Sequence, residues 1–156
     1  MTSLPLAAPA IIRLAPFDAA IFDMDGTLLD TESVFRDIVF DVCTELGFEM
    51  THEVHCAMVG SSHERTNQLL VEAYGVAFPY ALFDEKCRAF MRERSHAGVP
   101  VKAGAREFVT ELRTRGIPTA VATSSRNPHA AHHLGAAGLL DLFDTVVTRD
   151  DVTHPK

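Results

Sequence analysis

The chain has 156 residues, enough for one ordinary domain or for a small core with an insertion. Hydrophobic residues make up 47% and charged residues 22% of the sequence, a balance typical of globular proteins and not of disordered ones. The formal net charge of −7 argues against nucleic acid or an anionic membrane surface as the main partner. A small phosphorylated substrate is compatible with it, because a cationic pocket can lie within an acidic surface.

The cysteines and the first residues bear on the compartment. Cys43, Cys56 and Cys87 are odd in number and widely spaced, which predicts reduced core thiols and not a disulfide framework. Residues 1–16 form an N-terminal extension that is apolar but interrupted by prolines, with no basic residue before Arg13, so a signal peptide is not predicted. No apolar run is long enough to cross a bilayer. These features together predict a cytoplasmic protein.

The first predicted element is a short apolar strand over 17–22 that leads directly into the acidic segment Asp23 to Gly26. After it, apolar residues recur at helical spacing, and no strand pattern occurs between residues 31 and 98. Glycines such as Gly47 and Gly75 stand where helices should end. The helices predicted in this segment cover residues 31–46, 51–59, 62–74 and 79 onwards.

Residues 99–156 return to alternating helices and strands. Helices are predicted over 105–115 and 128–137, and strands over 117–122 and 144–148. Together with the first strand, this alternation is the signature of a parallel α/β sheet with right-handed crossovers. The predicted fold class is therefore α/β, with an all-helical segment inserted after the first strand.

Polar residues follow each predicted strand at the point where it ends. Asp23 and Asp25 follow the first strand, Thr123 and Ser124 the second, and Lys156 lies one loop beyond the third. Ligands of parallel sheets bind at the carboxyl ends of the strands, so these side chains are expected to meet at one edge. Each has a structural explanation of its own, as a solvated turn or a helix N-cap. Their shared position at successive strand ends favours a functional site.

These residue types indicate phosphoryl transfer. Asp23 is the candidate nucleophile, because a carboxylate can attack phosphorus and form an aspartyl phosphate. An anion that attacks an anion needs a hard cation, and Mg²⁺ binds carboxylate and phosphate oxygens. Asp25 is the candidate general acid towards the leaving alcohol and then the base towards water. Thr123 would donate a hydrogen bond to a phosphoryl oxygen, and Lys156 would neutralise charge on the transferring group.

The order of these motifs resembles that of the haloacid dehalogenase-like (HAD) phosphohydrolase superfamily. Its first motif, a strand followed by Asp-x-Asp-Gly-Thr, is matched by Asp23 to Thr27, and its second, a strand ending in Thr or Ser, by Thr123. Lys156 is the candidate for its third motif, a Lys that commonly precedes Pro. The resemblance covers the chain after the first 16 residues. It implies a Rossmann-like three-layer core and a Mg²⁺-dependent phosphatase site.

The helical insertion resembles the α-helical cap of the β-phosphoglucomutase-like branch, as do the segments Leu29 to Ser33 and Thr123 to Asn127. The resemblance implies a core formed by residues 17–30 and 99–156, and a cap formed by residues 31–98. In that branch the cap closes over the substrate and sets specificity.

By the same resemblance, Asp23 and the main-chain carbonyl of Asp25 bind Mg²⁺. Two alternatives stay open among the candidate substrate contacts. Glu32 either faces the site or favours the first turn of its helix through the helix dipole. Arg126 and Asn127 either contact substrate or begin the helix that follows. The candidate substrate-binding residues are Gly26, Thr27, Glu32, His63, Arg65, Ser124, Arg126 and Asn127.

Two positions distinguish a phosphatase from a sugar-phosphate mutase. Mutases of this branch carry a His where this chain has Phe35. They also carry a cap-loop Arg for a second phosphate near His63, with Arg65 as the candidate substitute. Both differences favour a phosphatase of a small phosphorylated metabolite, such as a sugar phosphate, and a mutase is the alternative. Dehalogenases lack the second Asp of the first motif, so Asp25 argues against them.

The fourth motif of the family is an acidic loop after a further strand, and it completes the Mg²⁺ site. No such strand is predicted before Lys156. We therefore expect the chain to be the N-terminal part of a longer protein, unless acidic metal ligands come from elsewhere in it. An inactive relative that uses the cleft only for binding is the other class of function.

Histidines outside these motifs predict no metal centre. His52 and His55 do not have the His-Glu-x-x-His spacing of zinc proteases, and no third ligand is evident. His129, His132 and His133 are expected at the surface of a short helix.

Overall fold

The computed structural model describes residues 15–154, except for the side chains of residues 95–97. Within it, β1 (Ala20–Phe22), β2 (Thr119–Ala122) and β3 (Thr145–Val147) form one parallel sheet in the order β1-β2-β3. Helices connect the strands, so the predicted α/β class is confirmed.

The first strand is shorter than predicted. It begins at Ala20 because the first hydrogen bond to the neighbouring strand runs from the Ala20 amide to the Pro118 carbonyl, at 2.9 Å. Ile21 then lies opposite Ala120. In the sheet that the described residues form, β1 is an edge strand, and Ile21 there is 73% exposed.

Each helix predicted from apolar spacing is confirmed, within one residue of the predicted bounds. The hydroxyls of Thr51 and Ser62 cap two of them by accepting hydrogen bonds from the amides of Val54 and Arg65, both at 3.2 Å. No helix in the described range is long and apolar enough to cross a membrane. The helices are α1 (Thr31–Glu45), α2 (His52–Met58), α3 (His63–Tyr74), α4 (Tyr80–Ala97), α5 (Ala105–Thr114) and α6 (Asn127–Ala136), with 3₁₀ turns at Leu140–Leu142 and Arg149–Asp151.

Buried apolar side chains form two separate clusters. One surrounds the sheet and includes Met24, Val121 and Leu134. The other lies among α1 to α4 and includes Val42 and Leu70. The inserted helices therefore have a hydrophobic core of their own, as their amphipathic spacing predicts.

The cysteines are free thiols, as predicted. Cys43 and Cys87 are buried in the helical cluster, as predicted, but the prediction of a core position is wrong for Cys56, which lies on the exposed face of the short helix α2. Burial raises the pKa of Cys43 to about 11 and that of Cys87 to about 12. Both buried thiols are thus unreactive packing groups.

The chain enters and leaves the helical segment through two stretches that lie side by side. The Asp30 amide donates to the Pro100 carbonyl at 2.8 Å, and the Lys102 amide donates to the Leu28 carbonyl at 2.9 Å. The Lys102 ammonium also lies 3.1 Å from the Asp30 carboxylate. Hydrogen bonds from Lys102 and Ser33 lower the pKa of Asp30. The two linkers are therefore tied to each other by main-chain and side-chain contacts.

Candidate active site

The carboxyl end of β1 continues into a tight loop that carries Asp23 and Asp25. The amides of Leu28 and Leu29 both donate to the carbonyl of Met24, each at 3.0 Å. The side chains of Met24, Leu28 and Leu29 are buried in the sheet core. These residues fix the loop at the end of the strand. In the fixed loop Asp23 is half-buried and Asp25 is exposed.

Gly26 lets this loop turn back on itself. Its φ of +73° lies in the left-handed region, and its amide donates to the Leu29 carbonyl at 2.8 Å and to the Thr31 hydroxyl at 3.1 Å. A Cβ at this position would lie 2.9 Å from Oε1 of Glu32. Glu32 thus faces the acidic loop from the first turn of α1, where its negative charge also interacts favourably with the helix dipole. Thr27 is exposed in the same loop.

The loop after β2 contacts the acidic loop directly. The Ser125 hydroxyl donates to Oδ2 of Asp25 at 2.9 Å. The Ser125 amide in turn donates to the Thr123 hydroxyl at 3.0 Å, and the Thr123 amide donates to the Val147 carbonyl at 3.0 Å. Three successive strand ends are therefore connected through hydrogen bonds, in agreement with the predicted convergence of the first two motifs.

Thr123 and Ser124 lie on the other side of this connection. They line a small cavity of about 190 Å³ together with Thr148 and Arg149 from the loop after β3. Thr123 is buried and Ser124 is exposed. Lys156, the candidate third-motif residue, lies outside the described residues.

Arg126 and Asn127 are both held by Asp150. The Arg126 guanidinium donates to Oδ1 of Asp150 at 3.0 Å, and the Asn127 amide donates to its Oδ2 at 3.1 Å. Asn127 is also the first residue of α6. The contacts thus favour the helix-start interpretation for Asn127.

A cavity of about 850 Å³ separates this edge of the sheet from the helical segment. Asp25, Ser125 and Arg126 line one wall, and Arg88 and Arg92 of α4 line the other. A ligand that contacts the Asp25 carboxylate therefore faces arginine side chains across the cavity.

The histidines of α6 line the same cavity. His129 and His132 are exposed, as predicted. The prediction of a surface position is wrong for His133, which is only 9% exposed. The reason is that His133 lies beside Ala130 and Leu134 on the face of α6 that packs against the sheet.

The two cap candidates differ in their surroundings. Nδ1 of His63 lies 3.6 Å from the Asp84 carboxylate, in a cavity among the helices. Arg65 is exposed, and its guanidinium binds Glu72 at 3.2 Å and Gln68 at 3.3 Å. Arg65 lines neither this cavity nor the one beside Asp25.

These loops and helices fall within a match to the model of the haloacid dehalogenase-like hydrolase family, which covers residues 20–156, well over half of the chain. The chain belongs to the haloacid dehalogenase-like hydrolase family.

Similar proteins have been described in several organisms. The chain is 34% identical over 137 residues to the fructose-1-phosphate phosphatase YqaB of Escherichia coli, across 87% of this chain and 71% of that protein. It is 31% identical over 153 residues to SUPPRESSOR OF QUENCHING 1, a chloroplastic protein of Arabidopsis thaliana, across 94% of this chain and 14% of that one. A solved HAD family hydrolase from Deinococcus radiodurans, with bound phosphate and sodium, matches with a TM-score of 0.76 at 25% identity, across 87% of this chain and 59% of that one. The chain spans less than two thirds of the length of most of the curated relatives it matches.

The donor atoms of this HAD-like site suit a hard cation. Asp23 offers carboxylate oxygens and Asp25 a main-chain carbonyl at the end of β1, and Mg²⁺ is commonly held by one or two carboxylates together with other oxygen ligands, phosphate and water. Within residues 15–154, no group of three or more His, Cys, Asp or Glu side chains is placed to hold a metal ion. The Asp23 and Asp25 donor set therefore fits Mg²⁺ bound jointly with a phosphate.

Two contacts near this HAD-like site are not predicted from the sequence. Ser124 is the predicted substrate contact, whereas Ser125 reaches Asp25. The sequence offers adjacent hydroxyls at Ser124 and Ser125, and the turn of the loop after β2 determines which of them meets Asp25. Asp84 is not predicted from the sequence motifs, although it lies four residues before Arg88 on one face of α4.

Proposed function

We propose that this chain carries the phosphoryl-transfer site of a Mg²⁺-dependent phosphomonoesterase that hydrolyses a small phosphorylated metabolite, such as a sugar phosphate. The observation that carries the proposal is the hydrogen bond from Ser125 to Asp25, because it brings the loops of the first two family motifs together. The phosphatase named among the relatives supports the same reaction.

In the proposed reaction, a carboxylate oxygen of Asp23 attacks phosphorus, and the bond from phosphorus to the leaving alcohol breaks. Asp25 gives a proton to that alcohol and later takes one from the water that attacks the aspartyl phosphate. The bond between Asp23 and phosphorus then breaks, which releases inorganic phosphate and restores the carboxylate. Thr123 and Lys156 are proposed to bind the phosphoryl oxygens.

Mg²⁺ would be held by the Asp23 carboxylate and the main-chain carbonyl of Asp25. When bound, it supplies positive charge that lessens the repulsion between the Asp23 carboxylate and the phosphate. The arginines that line the cavity beside Asp25, among them Arg88 and Arg126, would add further positive charge for a phosphate dianion within a surface of net charge −7.

We assign residues 17–30 and 99–156 to the catalytic core and residues 31–98 to a cap that sets specificity, after an extension over 1–16. The two separate hydrophobic clusters and the paired linkers at Asp30 and Lys102 support this division.

A sugar-phosphate mutase is the second candidate function. Hydrolysis is favoured because Phe35, 44% exposed, stands where the mutases carry a His. A mutase would transfer the phosphoryl group from a sugar bisphosphate to a second sugar hydroxyl, and detection of that product would favour it.

The test is the substitution Asp23→Asn. With Mg²⁺ present, it should lower the rate of phosphate release from sugar monophosphates by roughly a thousandfold or more, because no nucleophile remains. Asp141→Asn, at an exposed carboxylate in the turn Leu140–Leu142, is the matched control and should keep the wild-type rate. Both variants should unfold at the wild-type temperature. Wild-type turnover by Asp23→Asn would refute the mechanism.

A further inference from the structure

A second polar group lies in the helical segment, away from the acidic loop. Oδ2 of Asp84 forms an ion pair with Nη2 of Arg88 at 2.6 Å, and its Oδ1 lies 3.6 Å from Nδ1 of His63. The Tyr80 hydroxyl donates to the His63 carbonyl at 3.0 Å. The Asp84 side chain is only 26% exposed. The Asp84 carboxylate therefore contacts side chains from both α3 and α4.

This group lines a cavity of about 400 Å³ among the helices. Its other walls are mostly apolar and include Phe35, Met58 and Met91. Polar groups that converge on an apolar pocket are characteristic of small-molecule sites.

The helical cavity and the cavity beside Asp25 share part of their lining. Arg88 and Met91 line both of them, on successive turns of α4. A molecule with its phosphoryl group at Asp25 that extends along α4 therefore reaches Arg88, which is paired with the Asp84 carboxylate.

The charges in the helical cavity select against a second phosphate. Asp84 already balances Arg88, and its carboxylate would repel a phosphate dianion at this end. Arg65 binds Glu72 on the exposed surface, so it does not add positive charge here. Arg92 lines only the cavity on the Asp25 side.

A hydroxyl group can both donate and accept hydrogen bonds, and the helical cavity offers a partner for each. A hydroxyl can donate to the Asp84 carboxylate and accept from Arg88, while carbon-bound hydrogens pack on Phe35 and Met58. We propose that Asp84, with His63 and Arg88, binds the hydroxyl groups of a singly phosphorylated polyol or sugar, and disfavours bisphosphates. This proposal rests on the proposed phosphatase function, because it places the phosphoryl group at Asp25.

The test compares three probes on the wild-type chain and on Asp84→Asn. Glucitol 6-phosphate offers hydroxyls and one phosphate, ethyl phosphate offers no hydroxyl, and glucose 1,6-bisphosphate offers a second phosphate. In Asp84→Asn, KM for glucitol 6-phosphate should rise about tenfold or more, with kcat kept, because a charged hydrogen-bond acceptor is lost. KM for ethyl phosphate should rise far less. KM for the bisphosphate should fall, because Arg88 is released from its carboxylate.

Two further variants separate this role from a general effect on folding. Glu85→Gln alters the neighbouring exposed carboxylate of α4 and should leave all three KM values unchanged. His63→Gln should raise KM for glucitol 6-phosphate without lowering KM for the bisphosphate, since it leaves Arg88 paired with Asp84. Equal KM changes for all three probes in Asp84→Asn, or a wild-type preference for the bisphosphate, would overturn the proposal.

Binding measurements distinguish a failure of this proposal from a failure of the phosphatase function. Isothermal titration of glucitol 6-phosphate is carried out on Asp23→Asn, with and without Asp84→Asn. Tenfold weaker binding in the double variant supports the site even when the wild-type chain releases no phosphate, an outcome that refutes only the proposed function. Equal binding by the two variants overturns the site.

Discussion

The loop after β1 and the cavity among α1 to α4 are built in different ways. Main-chain hydrogen bonds and buried residues such as Met24 hold the loop, so its shape follows from residues that are adjacent in the sequence. The helical cavity depends on side chains such as His63 and Asp84, which lie 21 residues apart and meet only when two helices pack. The proposed chemistry therefore depends on a locally determined loop, while the proposed selection of substrate depends on long-range side-chain contacts.

Among variants of these two regions, Gly26→Ala is expected to have the largest effect on stability and activity. Gly26→Ala should cost about 1–2 kcal/mol of stability, because its φ of +73° is unfavourable for an L side chain, and should also lower kcat strongly. The activity loss follows from the added Cβ, which would displace the Glu32 carboxylate or the acidic loop. Thermal unfolding and phosphate release measure the two effects.

Gly47→Ala is the matched control for the backbone effect. Gly47 has a φ of +82°, with no atom within 4 Å of the added Cβ. It should lose a similar amount of stability and keep its kcat. Equal activity of the two variants would contradict the claim that the loop shape at Gly26 serves catalysis.

The next largest effect is expected at the hydrogen bond between the loop after β1 and the loop after β2. Ser125→Ala should lower kcat about tenfold, because Asp25 loses the hydroxyl that donates to it at 2.9 Å. Ser124→Ala should lower it less, since Ser124 is exposed and lines the opposite cavity. Steady-state kinetics with a sugar monophosphate tests both. A larger loss in Ser124→Ala would reverse the assignment of the two hydroxyls.

The smallest effect is expected at the linkers between the two regions. Lys102 lowers the pKa of Asp30, so the stabilisation that this pair provides is present above the usual carboxyl pKa of about 3.9 and is lost as the pH falls through the lowered value. Lys102→Met should therefore be slightly less stable than the wild type at pH 7, and the difference should shrink at acid pH. Unfolding temperatures at several pH values check this. A difference that grows as the pH falls would contradict the pairing.

Much of the fold could be predicted because it depends on local patterns. Apolar spacing places the helices, and glycines such as Gly47 and Gly75 end two of them, so the predicted bounds agree closely with the structure. The first strand is too long in the prediction, because its pairing with β2 begins at Ala20, where the amide donates to the Pro118 carbonyl. Apolar character alone does not show where pairing begins.

The candidate site could be predicted only in part. Asp23 and Asp25 follow from the motif, but the choice between Ser124 and Ser125 depends on how the loop after β2 turns. The partner of Arg126 is Asp150, which a 3₁₀ turn brings close and which a loop prediction does not place. Long-range side-chain pairs of this kind require the packed structure.

Asp23 is proposed as the nucleophile of the phosphoryl-transfer site. The most direct test is to quench the reaction with acid during turnover of a sugar monophosphate and to reduce any aspartyl phosphate with borohydride to homoserine. Peptide mass spectrometry then locates the homoserine in the sequence. Homoserine at position 23, absent in Asp23→Asn, is the predicted result. Sustained turnover with an unmodified Asp23, or with the phosphoryl group on another residue, would contradict the account.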